Sequence, residues 1–181
     1  PQSCVAVPGE RDEITVYPSS QSPDSVHAGI HSILNIPATR VDVKINRVGG
    51  GYGGKTTRSP YVASTVGVAA WKHHRPVRLA MRRENDTAMV GHRHPLYSEY
   101  ALAIADGAGD PDQKGRIIGM STDFTSDGGA TYDCSFVVMD CIQLRADSAY
   151  MVPNYQTSGE VAQTNKASNT AFRSMGLVQA M

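Results

Sequence analysis

Val41, Val43 and Ile45 alternate with Asp42, Lys44 and Asn46, and the chain then runs into five glycines in six positions, Gly49-Gly50-Gly51-Tyr52-Gly53-Gly54. The alternation is that of a half-buried strand. A glycine cluster needs a cause, because each glycine loses more backbone freedom on ordering than any other residue. Two causes fit. The loop is a tight connection where a strand and the next helix pack closely, or it brings backbone amides up to an anionic or oxo-bearing ligand at a helix entrance.

The surrounding pattern repeats in kind. Ile14 and Val16 mark a strand, and Ser22-Pro23-Asp24 offers an N-cap with proline at the first helical position. Val26, Ile30, Ile33 and Leu34 then form one apolar stripe that ends near Asn35 and Pro37. After the glycine loop, Ser59-Pro60 starts another helix through Val62, Val66 and Ala70, which stops in Lys72-His73-His74-Arg75-Pro76. Val77, Leu79 and Met81 suggest a further strand, and alternating runs at 97–105 and 117–124 flank a turn-rich 106–111, as in a hairpin with a long loop. A third helix is expected over 136–150, capped near Asp133 or Ser135, and a last strand over 155–162. No linker divides the chain. The expectation is an α+β fold, a mixed sheet with helices packed on it and repeated strand-helix units, forming part of a larger domain over 1–181.

Composition narrows the function classes. At 181 residues, 40% hydrophobic and 19% charged, the chain suits one globular domain or a slice of one. Zero formal net charge leaves no electrostatic footprint for nucleic acid or an anionic membrane. The chain opens Pro1-Gln2-Ser3, has no apolar signal region, and its longest near-apolar stretch, 66–71, is far short of a span, so an internal piece of a cytoplasmic protein is expected. Cys4, Cys134 and Cys141 are odd in number and lack C-x-x-C spacing, which argues against a disulfide framework or a zinc or iron–sulfur site here. Asn85-Asp86-Thr87 matches a glycosylation sequon but stands without a secretory signal.

Gly49 to Thr56 also reads G-x-x-x-x-G-K-T, the phosphate-loop pattern of nucleotide hydrolases. In that motif the helix begins at the Gly-Lys-Thr itself, whereas Ser59-Pro60 places the helix start a few residues later. The preceding strand is not uniformly apolar, and no apolar run ends in a metal-binding Asp downstream. The nucleotide reading is the weakest of those considered.

At Arg47-Val48-Gly49-Gly50-Gly51-Tyr52-Gly53-Gly54-Lys55, followed by Ser168-Asn169-Thr170-Ala171-Phe172-Arg173, the sequence resembles the molybdenum hydroxylases, xanthine dehydrogenase and aldehyde oxidase. Ser20-Gln21, Gly91-His92-Arg93-His94-Pro95, the stretch 150–154 and Gln179-Ala180 extend the resemblance over essentially the whole chain. It implies a molybdenum ion held by a pyranopterin dithiolene, with protein groups around its oxo, sulfido and hydroxo ligands. By position, the Gln21 side-chain amide would donate to an oxo ligand, the Tyr52 backbone N–H would face the same centre, and Arg173 would lie close by, with Gly51 and Gly53 small to let the backbone approach. Amide donors stabilise an oxo group without competing for the metal, and a guanidinium is a fixed cation near an anionic cofactor. Taken without the resemblance, Gln21 is a solvated residue before a helix cap, Tyr52 an exposed loop aromatic and Arg173 a surface cation. His92 and His94, two apart, suggest a metal pair but fall in a stretch that looks structural in the family.

Substrate positions depart from the xanthine-oxidising pattern. Thr56 stands where those members carry a glutamate, Cys141 where they carry an orienting arginine, and Met175 where the family usually has a stacking phenylalanine, next to Phe172 in the same stretch. A site lacking groups that hydrogen-bond a purine does not select for one. The resemblance therefore implies hydroxylation, with water as oxygen source, of aldehydes or less polar N-heterocycles; xanthine dehydrogenase proper and a non-catalytic relative are the alternatives. It also implies 2Fe-2S clusters and FAD elsewhere in the full protein, a homodimer, and a catalytic glutamate beyond Met181, so that no catalytic residue falls in this stretch and Glu84, Glu99 and Glu160 receive no role.

Overall fold

The computed structural model describes residues 1–181 and divides into two compact units, Pro1–Gly91 and His92–Met181. The first holds β1 (Ser3–Pro8), β2 (Ile14–Pro18), α1 (Pro23–Leu34), β3 (Val41–Val43), α2 (Ser59–His73), β4 (Val77–Ala80) and α3 (Arg83–Val90). Its sheet has the order β3-β2-β1-β4, with β1 antiparallel to β2 and β4 and β2 parallel to β3. Cys4 and Ala6 of β1 and Ile14 and Val16 of β2 turn one face of the sheet towards Val26 and Ile30 of α1 and Val62, Ala63, Val66 and Ala70 of α2. All of these are buried, and each Val or Ile among them contributes roughly 1.5–3 kcal/mol by leaving water.

Both Ser-Pro helix starts stand where the sequence puts them, although neither start carries a side-chain cap. Ser22 Oγ instead pairs with Ser25 Oγ at 2.7 Å. Two elements of this unit have no counterpart in the sequence reading. Strand β1 is central, and Val5 and Val7 are half-buried on its second face, so the period-two signal of a half-buried strand is blurred. Helix α3 is polar and lacks an apolar stripe; it is held through buried Asp86, whose carboxylate accepts from the Gln2 backbone N–H at 2.8 Å.

The second unit holds β5 (Leu96–Ile104), β6 (Ile117–Gly129), α4 (Ser135–Gln143), β7 (Tyr155–Gln163) and the single-turn α5 (Leu177–Ala180). Strand β6 is the centre of a three-stranded sheet, antiparallel to β5 and parallel to β7. Phe124 packs with Val138, Met139 and Ile142 of α4 and with Ala146 and Ala171.

The α+β class holds, but the strands divide between two sheets, not one, and the division at Gly91 has no linker composition to announce it. The third helix ends at Gln143, not near residue 150: beyond Ile142 the chain turns, Leu144 is exposed, and Ser148 takes the left-handed conformation. The residue before its first turn is Cys134, whose side chain does not cap it. No helix is long and apolar enough to cross a membrane.

Candidate functional site

Gln21 lies between β2 and α1, and its neighbours stitch it to the entrance of α2. Ser20 Oγ shares a hydrogen bond with Ser59 Oγ at 2.6 Å, Ser59 Oγ donates to the Lys55 carbonyl at 2.9 Å, and the Gln21 backbone N–H donates to the same carbonyl at 2.9 Å. The Gln21 carboxamide is thereby carried onto the glycine loop. Its Oε1 accepts from the Gly53 N–H at 2.9 Å and the Lys55 N–H at 3.3 Å. Two backbone donors can only face the oxygen, which fixes the carboxamide orientation and turns its NH2 away from the loop as an outward donor.

Gly51 makes this possible. A β-carbon there would stand 2.2 Å from Gln21 Oε1 and 2.4 Å from its Cδ, inside any real contact distance. The glutamine occupies the space a side chain at position 51 would need. This close approach, of a side chain to the loop, is distinct from the two causes the sequence offers for the glycines. Tyr52 sits at the crest with φ +51°, 64% exposed, its ring folded back towards Gly50. Thr56 is half-buried and donates its N–H to the Gly53 carbonyl at 3.1 Å.

The same bonds dispose of a phosphate cradle. The N–H groups of Gly53, Gly54, Lys55 and Thr56 all have acceptors within the first unit, Lys55 Nζ donates to Ser19 Oγ at 2.6 Å, and α2 starts only at Ser59. These four amides are therefore not left to converge on an anion in the manner of a phosphate loop.

In the second unit, the stretch 164–176 has almost no regular structure of its own and is held by side chains together with scattered backbone bonds, among them the Asn169 N–H to the Gly128 carbonyl at 3.1 Å and the Thr170 N–H to the His92 carbonyl at 3.0 Å. Asp127, at the end of β6, accepts from Thr164 Oγ1 at 2.7 Å, Lys166 Nζ at 2.9 Å and the Gly129 N–H at 3.0 Å, while Asn169 Nδ2 donates to the Asp127 carbonyl at 2.8 Å. The Thr164 hydroxyl first, then Lys166, hold the Asp127 carboxyl down at about 2. Ser168 Oγ pairs with Thr131 Oγ1 at 2.6 Å, and the Ala171 N–H donates to Cys134 Sγ at 2.9 Å. Burial pushes the Cys134 thiol up, with Asp133 acting in the same direction.

Phe172 and Arg173 emerge exposed from this frame, and Met175 is half-buried against the second core. Cys141, on α4, lies directly under the stretch: a β-carbon on Gly176, whose φ is +78°, would come within 2.4 Å of the Cys141 carbonyl carbon. Thus Gln21, Gly51, Tyr52, Gly53 and Thr56 form one group within the first unit, and Cys141, Phe172, Arg173 and Met175 form another within the second.

His94 is buried, with Nε2 2.6 Å from Ser135 Oγ, and burial pushes its imidazole below the ordinary histidine value against the pull of Asp133 and Asp127. His92 is exposed. The residue that sequence reasoning passes over is Arg93. Its Nη2 donates to the Arg173 carbonyl at 2.6 Å, its Nη1 reaches the Ser174 carbonyl at 3.5 Å and Gln179 Oε1 at 3.4 Å, and its guanidinium lies 5.2 Å from the Phe172 ring centroid. Its partners are mostly backbone carbonyls, which leave no mark in a sequence.

Comparison with known proteins gives the family. The family model described as "Molybdopterin cofactor-binding domain" matches residues 1–181. The chain is 35% identical over 178 residues to xanthine dehydrogenase/oxidase of Felis catus, covering 98% of this chain and 13% of that protein. It is 36% identical over 179 residues to aldehyde oxidase 2 of Cavia porcellus, again covering 98% of this chain and 13% of the relative. Among solved structures, the aldehyde oxidoreductase of Desulfovibrio gigas superposes with a TM-score of 0.75 at 25% identity, covering all of this chain and 19% of that one. The chain therefore spans about an eighth of the length of these curated relatives.

Proposed function

Because this chain belongs to the molybdopterin cofactor-binding family of the xanthine dehydrogenases and aldehyde oxidases, we propose that it supplies part of the molybdenum environment of a hydroxylase acting on aldehydes or weakly polar N-heterocycles. The observation that carries the reading is the Gln21 carboxamide, its oxygen held by the Gly53 and Lys55 amides and its NH2 turned outward. A rigid neutral donor of this kind suits oxo or sulfido ligands, because it stabilises negative charge without entering the coordination sphere. The donor set fits the cofactor for the same reason: it is built from amide and guanidinium groups, not from a His or Cys cluster.

In this reading Gln21 and the backbone at Tyr52 donate towards the molybdenum ligands, Gly51 and Gly53 leave the space for that approach, and Arg173 supplies fixed positive charge beside the anionic cofactor. The bound cofactor would supply the redox and oxygen-transfer chemistry. This chain's residues bind, orient and select. Thr56 and Cys141 carry no charge that would pair with a purine, Phe172 offers an aromatic face, and Met175 packs softly beside it. Partner 2Fe-2S clusters, FAD, the catalytic base, a homodimeric assembly and a cytoplasmic setting belong to the proposed whole protein, of which residues 1–181 form part of one cofactor-binding domain.

Steady-state oxidation by the full-length protein tests the substrate reading. The expected result is a kcat/KM for an aromatic aldehyde well above that for xanthine, with oxygen from labelled water in the acid product. A clear preference for xanthine would sink it.

A further inference from the structure

We propose that Arg93 is a positioning residue for the stretch from Phe172 to Met175, an inference that rests on the reading of that stretch as a substrate contact. A guanidinium presents five donors in one plane, and here one group uses that plane three ways. It binds the carbonyls of Arg173 and Ser174, it reaches Gln179 Oε1, and it lies over the Phe172 ring. Gln179 Oε1 also accepts from the Gly176 N–H at 2.9 Å, so the same network ties the far end of the stretch.

The consequence follows from the local backbone. Residues 164–176 have no strand or helix ladder to hold them, and Ser174 sits in the left-handed region at φ +56°. A conformation of that kind persists where its surroundings hold it. Arg93 is half-buried and touches Phe172, Arg173 and Ser174 together. It sets the plane of the Phe172 ring from one side. By holding the Arg173 carbonyl at 2.6 Å, it also sets the direction in which the Arg173 side chain leaves the backbone. Lysine carries the same charge but lacks the planar fork, so it cannot hold two carbonyls and face a ring at once.

The test uses the full-length holoprotein with Arg93→Lys, Arg93→Ala and Phe172→Leu, each assayed on a flat aromatic aldehyde and a short aliphatic one, with molybdenum content measured in parallel. The expected result for Arg93→Lys is unchanged molybdenum content and a loss of about 10- to 100-fold in kcat/KM on the aromatic aldehyde, with a smaller loss on the aliphatic one. Added guanidinium ion, and not methylammonium, should restore part of the aromatic activity of Arg93→Ala. If Phe172→Leu shifts the aromatic-to-aliphatic ratio and Arg93→Lys does not, the positioning role is wrong while the substrate reading stands. If neither variant shifts the ratio, the substrate reading fails and takes the inference with it. Equal losses on both aldehydes together with lost molybdenum would reduce Arg93 to a structural prop.

Discussion

The glycine loop and the 164–176 stretch are both irregular backbone held in one conformation, and they are held by opposite means. Around the loop, side chains are missing: Gly51 must have none, because the Gln21 carboxamide fills that space and takes two loop amides on its oxygen. Around 164–176, polar side chains add to a few backbone bonds: Asp127 ties the entry and Arg93 the exit. The first arrangement has no room to spare, since one added methyl group would take the place of the Gln21 carboxamide. The second is redundant, since several hydrogen bonds share the task and each is individually worth little.

The comparison can be broken at its brittle end first. Gly51→Ala in the full-length protein should expel the Gln21 carboxamide and lower kcat/KM by about 100-fold or more, with little change in thermal stability because the loop lies outside both cores. Full activity in that variant would show that the glutamine orientation does not matter. A smaller effect is expected from Asp127→Ala, which should lower Tm by several degrees and increase proteolytic cutting within 164–173, while leaving the loop untouched. The carboxyl is held down at about 2 from an ordinary 3.8, so its contribution is fully present above pH 4. That contribution is lost as pH falls from about 4 towards 2, when the unfolded chain takes up the proton first. The same acid sensitivity in Asp127→Asn as in the wild type would contradict the assignment.

The smallest effect concerns His94. Burial lowers its proton affinity in the folded state below the ordinary 6.5, so below that pH the unfolded chain binds a proton that the native state refuses. Stability should therefore decline as pH drops from 7 towards 5, and His94→Gln should flatten that slope. An unchanged slope would place the titration elsewhere.

The same contrast explains which parts were legible in the sequence. Ser22-Pro23 and Ser59-Pro60 announce two helices because proline restricts the backbone locally, and the alternation in 97–105 and 117–124 announces a hairpin, although only β6 has buried residues and 97–104 are exposed on both faces. Strand β1 and helix α3 escape because their signals depend on neighbours: β1 is apolar towards both faces, and α3 is anchored by a single buried carboxylate. At the site, the glycine cluster advertises that something approaches closely, but not that the visitor is a side chain from residue 21. Arg93 escapes for the reason given by its partners, which are carbonyls any residue would provide. The division at Gly91 escapes because the chain passes from one unit to the next without any run of glycine, proline or serine.

The central claim, that the Gln21 carboxamide faces the ligands of molybdenum, is tested most directly by the Mo(V) electron paramagnetic resonance spectrum of the full-length protein, wild type against Gln21→Ala, at molybdenum contents matched by mass spectrometry. The account predicts a changed signal in the variant with the metal retained, because a donor to the metal's ligands has been removed while the loop that bears it remains. An identical signal in both proteins would contradict it.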